Sequence, residues 1–289
     1  MNTLTILYSA IYQFGDNFAY LVLSALGLAI IFGMMGVINL AHGDLIMCGA
    51  YVTIISAKTG IPLPVAMALG TLAAAIAGVL VERLVIRHLY NRLFDSVVAT
   101  WAISLITQQA MLLLVGPSIE GISTPFGSFA LGELSFSTYR SVLPFIAIGV
   151  LVFLYLLLFH TNYGVCARAT IQNAKMASCL GLKTERIYTL TFALGAGLAG
   201  LAGALYAPTM TAVPTMGSSF IVQAFVTVVV GGANVLVGTI PAATILGVIQ
   251  TILTASYGQL VGQIGLLVTV IIVIRLLPQG VSSFFSRNR

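Results

Sequence analysis

Apolar residues run through this chain in long blocks separated by short polar stretches, and the length of those blocks is the first clue to the fold. Crossing the hydrocarbon core of a bilayer takes roughly 20 apolar residues in a helix. Blocks of about that length or slightly less lie at residues 18–34, 44–57, 64–82, 97–115, 142–159, 187–206, 219–232, 239–256 and 263–277. Each is predicted to be helical, because a segment in lipid must pair its own backbone amides and carbonyls. The expected fold class is therefore all-α: a polytopic transmembrane helix bundle of about nine segments, forming one domain over residues 1–289. The second and seventh blocks are short and flanked by glycine, and are either half-helices or full crossings. Ahead of the first block, Leu4, Leu7, Tyr8 and Ile11 fall at i, i+3, i+4 and i+7. Residues 1–17 are thus either a short interfacial helix or an extension of the first span. Gly70, Ala74 and Gly78 recur every four residues, as do Gly195, Ala199 and Gly203, the spacing that lets helix backbones approach closely.

Composition makes the membrane reading compulsory. Of 289 residues, 59% are hydrophobic and only 7% charged, with a mean hydropathy of +1.08. A soluble domain carries about 25% charged residues, so lipid must solvate much of this chain. The net charge of +5 is spread through short loops with no basic stripe, which argues against a nucleic-acid partner. Cys48, Cys166 and Cys179 form no CxxC and no Cys/His cluster has zinc spacing, so plain thiols and no metal are expected. No HExxH, GxSxG or paired-carboxylate pattern appears, and the chain is read as a non-enzyme.

The basic residues carry topology instead. Arg83, Arg87 and Arg92 follow the third block, Arg168, Lys175, Lys183 and Arg186 lie between the fifth and sixth, and Arg275, Arg287 and Arg289 end the chain. With nine crossings all fall on one side, cytoplasmic by the positive-inside rule. The N-terminus is then outside and the C-terminus cytoplasmic, in a multi-pass protein of the cell inner membrane.

Residues 160–186, HTNYGVCARATIQNAKMASCLGLKTER, are too polar to span. Their centre, Arg168 to Leu180, is predicted as a short helix bracketed by the breakers Gly164 and Gly181, with Ala169, Asn173, Met176 and Leu180 along one face. Connections in bundles usually run two to eight residues. A longer, internally structured one with an adaptable Met and small residues suits docking into a groove on another protein. The alternative is a solvated connector.

The stretch RATIQNAKMASCLGLKTERIYTLTFALGAGLAGLAGA resembles the permeases of ATP-binding-cassette importers of the branched-chain amino acid type, and is most similar to their urea and short-chain amide branch. GVINLAHGDLIMCGAY at 36–51, VATWAISLITQQ at 98–109 and SFIVQAFVTVVVGGANVLVGTIPAATILG at 219–247 carry the same resemblance. It implies a second homologous permease subunit, two cytoplasmic ATPases and an external solute-binding protein, with Arg168, Asn173, Lys175, Met176, Leu180 and Gly181 meeting the ATPase. It also implies that ATP and Mg bind in the partners, and that this chain carries no cofactor. Consistently, there is no GxxxxGK[ST] phosphate loop: Lys58-Thr59 follows Ala57. The solute implied is urea or a short-chain amide. A branched-chain amino acid is the alternative within the family, and a passive or ion-coupled carrier the alternative outside it. One departure bears on the solute. Where the urea branch reads IVDSF, this chain has Ile221-Val222-Gln223-Ala224-Phe225.

Two polar interruptions mark the expected route: Asn39-Leu40-Ala41-His42-Gly43-Asp44, and Gly231-Gly232-Ala233-Asn234. Discontinuous helices flank substrate sites in transporters. Asn39, His42, Asp44, Gln108, Gln109, Gln223, Thr227, Gly231, Gly232 and Asn234 are the candidate pathway residues. Each has a structural alternative: Gln108 and Gln109 could join helices, Asp44 could cap the second helix, His42 could tie the turn, and the glycines could serve only a tight bend.

Overall fold

The computed structural model describes residues 3–90, 92–131, 134–232, 235–277 and 280–282. The helices are α1 (Thr3–Met35), α2 (His42–Lys58), α3 (Leu63–Leu84), α4 (Leu93–Val115), α5 (Thr138–His160), α6 (Asn162–Gln172), α7 (Ala174–Cys179), α8 (Thr184–Tyr206), α9 (Met216–Gly231), α10 (Val235–Tyr257) and α11 (Gln259–Leu276). Seven are long and apolar enough to cross a membrane. The remaining two apolar helices, α2 and α9, have 17 and 16 residues and match the blocks expected to be short. The fold is a polytopic all-α bundle.

Two local expectations are corrected and one element is added. Residues 3–17 are not a separate interfacial helix; they continue into the first span as one helix to Met35, with Tyr8 and Tyr12 resting on Phe136. The 116–141 connection, a stretch between apolar blocks to which no element was assigned, holds a hairpin, β1 (Ser128–Leu131) paired antiparallel with β2 (Leu134–Ser137). Gly164 lies inside α6, and the helix breaks at Asn173 instead.

Small residues set the packing. Glycine removes the Cβ that would hold two backbones apart. A side chain at Gly49 would collide with the backbone of Gly200, one at Gly78 with Ala196, and one at Gly27 with the Gly195 carbonyl. The α3 stripe therefore packs on Ala196 and Gly200 of α8 and on Gly49 of α2, while Gly195 and Gly203 of the α8 stripe meet Ile31 of α1 and Ile46 of α2. The result is a core of α1, α2, α3 and α8, within which 72% of the apolar stretch of α1 and 78% of that of α8 are buried, against 11% for α4. Arg83, Arg87, Arg92, Arg168, Lys175, Lys183, Arg186 and Arg275 gather at one end, the basic end. Lys58, Arg140 and the hairpin occupy the other.

The short helices begin inside the bundle. After α1 reaches the basic end, Val37 packs with Ile86 and Phe192. The chain then turns back, so that by His42 it lies beside Ser24, midway along α1. From there α2 runs toward the hairpin end. The second interruption inverts this. After α8 reaches the hairpin end, Ala212 pairs with Ile119 in the α4–β1 connection. The chain returns, and α9 starts with Gly217 against Gly43 and the Phe220 ring tilted against that of Tyr20, centroids 4.7 Å apart. From there α9 runs toward the basic end, with Ala224 and Val228 packing on Ala25, Leu28 and Ala29. Gly43, Ala50, Val52 and Thr53 of α2 recur with the same spacing as Gly217, Ala224, Val226 and Thr227 of α9. Both threonines donate to the carbonyl four residues back, at 2.7 and 2.8 Å.

Candidate functional site

The α1–α2 interruption is built by its own polar residues and sealed by α4. Asn39 Oδ1 accepts the Ala41 N–H at 3.1 Å, a local turn that lets the chain leave and re-enter helical geometry. The His42 ring is fully buried, and its Nε2–H donates to the Ser24 carbonyl at 3.0 Å. A carbonyl only accepts, so Nε2 carries the hydrogen and, in the neutral ring, Nδ1 is left as an acceptor. Asp44 sits in the first turn of α2, where a carboxylate opposes the positive end of the helix dipole.

Ser96, Thr100, Ser104 and Gln108 recur every four residues along α4, so they form one stripe on its surface. Thr100 Oγ1 accepts the Leu40 N–H at 3.1 Å and donates to the Ser96 carbonyl at 2.8 Å. Gln108 Nε2 donates to Asp44 Oδ1 at 3.2 Å and to Ser104 Oγ at 3.0 Å. An unpaired backbone group in hydrocarbon costs several kcal/mol, and this stripe supplies the partner that Leu40 lacks. The hydroxyl residues at 96, 100 and 104 were not among the predicted site residues, although their spacing was readable. The remaining faces of α4 point outward, with Trp101, Leu105, Ile106 and Leu113 exposed.

The structure brings together some predicted residues and separates others. Asn39, His42, Asp44 and Gln108 belong to one polar cluster at the end of α2. Gln109 is exposed on the outer face of α4, because adjacent helical positions point about 100° apart. Gln223 and Thr227 lie one turn apart on α9. Gly231 packs on Gly238, and Gly232 ends α9 with φ +81°, a left-handed conformation that glycine adopts freely. Asn234 lies outside the described residues. Among the described residues, three of the buried polar atoms without a partner belong to predicted site residues: Asn39 Nδ2, His42 Nδ1 and Gln223 Oε1. Buried polar groups are normally hydrogen-bonded, so each has capacity for a water or a polar solute.

At the basic end, α6 and α7 form the connection between α5 and α8. Thr161 caps α6 by accepting the Gly164 N–H at 3.2 Å, and Asn173 caps α7 by accepting the Met176 N–H at 3.0 Å. A side chain at Gly164 would collide with the Leu158 carbonyl, so this glycine serves close packing. The Arg168 guanidinium donates to the Leu158 carbonyl and lies 5.0 Å over the Phe159 ring. It caps the C-terminus of α5, where a cation suits the helix dipole, and so is tied to the bundle. Lys175, Met176 and Leu180 point outward, the last two 59% and 78% exposed, while Ala177 is buried beneath them. Gly181, at φ +87°, ends α7, and the Leu182 N–H returns to the Ala177 carbonyl at 3.1 Å. Asn173 separates α6 from α7, so Ala169 does not share a continuous helical face with Met176 and Leu180.

A helix bundle with two inverted half-helices meeting at its centre, and a structured connection at its basic end, defines a polytopic membrane protein of transporter architecture. Residues 13–277 match the family described as branched-chain amino acid transport system / permease component, and the chain belongs to that family. It is 29% identical to the probable branched-chain amino acid transport permease protein LivH of Methanocaldococcus jannaschii, over 91% of this chain and 88% of that one. It is also 29% identical to the high-affinity branched-chain amino acid transport system permease protein BraD of Pseudomonas aeruginosa, over 90% of each. Its identity with the corresponding LivH of Escherichia coli is 28%, over 90% of each chain. No solved structure matches.

Proposed function

We propose that this chain is the inner-membrane permease subunit of an ATP-binding-cassette importer and that the solute it carries is a branched-chain amino acid. The observation that carries this reading is the similarity, over about nine-tenths of each chain, to permeases named for that transport. The urea and short-chain amide reading expected from the sequence has no such support. In the proposed cycle an external binding protein delivers solute and two cytoplasmic ATPases bind ATP and Mg. A second homologous permease completes the pathway. Two features support this division of labour: the chain has no nucleotide-phosphate loop, and α7 holds Met176 and Leu180 outward on a buried Ala177. ATPase closure pressing on α7 reaches α8 directly and moves the core helices as a packed unit. The clustering of the basic residues supports a cytoplasmic basic end.

Within the membrane, the polar cluster of Asn39, His42, Asp44 and Gln108 and the α9 pair Gln223 and Thr227 offer donors and acceptors beside the route. Side chains and half-helix ends there would hold the polar groups of the solute, leaving affinity to the binding protein.

The test is uptake into proteoliposomes holding the complete complex. Leucine accumulation that requires ATP, competed by valine and isoleucine but not by urea or acetamide, is the expected result. Competition by urea or acetamide would move the chain to the amide branch. Accumulation without ATP would make it a channel or an ion-coupled carrier.

A further inference from the structure

The basic end holds a built cavity that the transport cycle above does not use. It has a volume of about 480 Å³ and lies where the last turn of α3 meets the first turns of α8. Arg83, Arg87 and Arg186 line it with Glu82, Glu185, Thr189 and Leu190. Its floor is rigid. The fully buried Glu82 carboxylate accepts the Tyr90 hydroxyl and, at 2.9 Å, the Thr189 hydroxyl, which pins the α3–α4 connection to α8. Burial first, then the hydrogen bond and charge of Glu82, push the Tyr90 phenol well above its ordinary range, so it stays a donor.

The charges around this floor are not balanced. Glu185 pairs with Arg87 at 3.1 Å, and the hydroxyls of Tyr90 and Thr189 occupy Glu82. Three guanidiniums and two carboxylates thus line one cavity, a net positive charge, and Arg83 and Arg186 have no ion-pair partner among the described residues. Both stand at the ends of membrane spans, at headgroup depth. Immediately toward the hydrocarbon, Leu190 and Leu80 are 57% and 54% exposed. A bidentate cationic pocket above an apolar surface matches a ligand with an anionic head and acyl tails.

We propose that this cavity binds the phosphate headgroup of an anionic phospholipid, with Arg83 and Arg186 on the phosphate and Leu190 and Leu80 along the acyl chains. The bound lipid clamps the α3–α4 connection to the start of α8, beside the segment that α7 pushes. The site requires only that the chain sits in a bilayer and holds whichever solute is carried.

The experiment adds phosphatidylglycerol, phosphatidylcholine or inorganic phosphate to the purified, delipidated full chain in detergent. Bound lipid is read by native mass spectrometry and melting temperature by a thiol-independent dye. Phosphatidylglycerol should bind at least fivefold more tightly than phosphatidylcholine and raise the melting temperature by several degrees. Arg83→Gln with Arg186→Gln should abolish that preference. Should the double variant fold poorly, Glu185→Gln supplies the opposite sign: it removes a negative charge and releases Arg87, so phosphatidylglycerol binding should tighten. Equal binding of both lipids, an unchanged preference in the Arg variants, or an equal shift from phosphate alone would overturn the lipid assignment. So would shielding of Arg83 and Arg186 from phenylglyoxal by a cytoplasmic ATPase subunit with no lipid present, which would assign the cavity to that protein.

Discussion

The interruption between α1 and α2 and the one between α8 and α9 meet the same problem with different chemistry. In both, the chain turns back into the bundle and starts a short helix there, and in both the turning backbone needs partners that lipid does not offer. At the second, the partner for Ala212 is the backbone of Ile119, paired in both directions at 2.9 and 3.0 Å. At the first, the partners are side chains: Thr100 for Leu40, Asn39 for Ala41, and Gln108 reaching Asp44. A backbone bridge suffices to hold an interruption in place. The larger polar investment at the first, with Asn39 and His42 retaining unpaired nitrogen atoms, therefore points to duties beyond holding a turn.

The comparison can be broken most severely where the halves touch. Gly43→Val should unfold the bundle or lower its melting temperature by more than 10 °C. The new side chain meets the Gly217 backbone, which cannot shift as a side chain would, and overpacking typically costs 1–3 kcal/mol or more. Fluorescence-detected thermal unfolding of the purified chain reads this, and a melting temperature within 2 °C of the parent would refute the close crossing.

Next in size is transport. Asp44→Ala and Gln108→Ala should each lower ATP-dependent uptake about tenfold, and the double variant should be little worse, since residues in one hydrogen-bonded unit are not additive. Fully additive losses would separate the two residues functionally.

A smaller effect is expected at the basic end. Met176→Glu should reduce recovery of the ATPase subunits in pull-downs severalfold while shifting stability by less than about 0.5 kcal/mol, as exposed substitutions usually do. Arg168→Glu should cost both recovery and stability, because Arg168 caps α5. Equal behaviour of the two would remove the distinction between a docking residue and a packing residue.

The smallest effects test the two interruptions directly. Thr100→Val removes the partner of Leu40 and should cost about 1 kcal/mol. Thr227→Val loses only a bond to its own helix and should cost a few tenths of that. Equal losses by denaturation would show that α4 does not seal the first interruption.

Much of this was readable in advance. Spans at 64–82, 97–115 and 142–159 appear as helices at 63–84, 93–115 and 138–160, because hydrophobic length is a direct physical requirement of the bilayer. The Gly70–Ala74–Gly78 and Gly195–Ala199–Gly203 stripes also read correctly as helix contacts. The candidate site was legible only in part. Gln108 and Gln109 were equivalent by sequence, yet one holds Asp44 and the other faces outward, since rotation about α4 is fixed by what it packs on. Arg168 carried a charge in a polar loop and was read as a docking residue. Only the folded position of α5 shows that its guanidinium is spent on Leu158.

By itself the sequence determined that the chain is a bundle of membrane helices, which blocks are long, which two are short, and where charge collects. Those follow from local hydrophobicity and length, properties that each segment carries wherever it sits. The tertiary structure alone decided that the two short helices meet at Gly43 and Gly217 running in opposite directions, that α4 seals the first interruption, and that Arg83 and Arg186 share a cavity. These juxtapositions join residues far apart in the chain, and contact between them depends on how whole helices are rotated and crossed, which no single segment encodes.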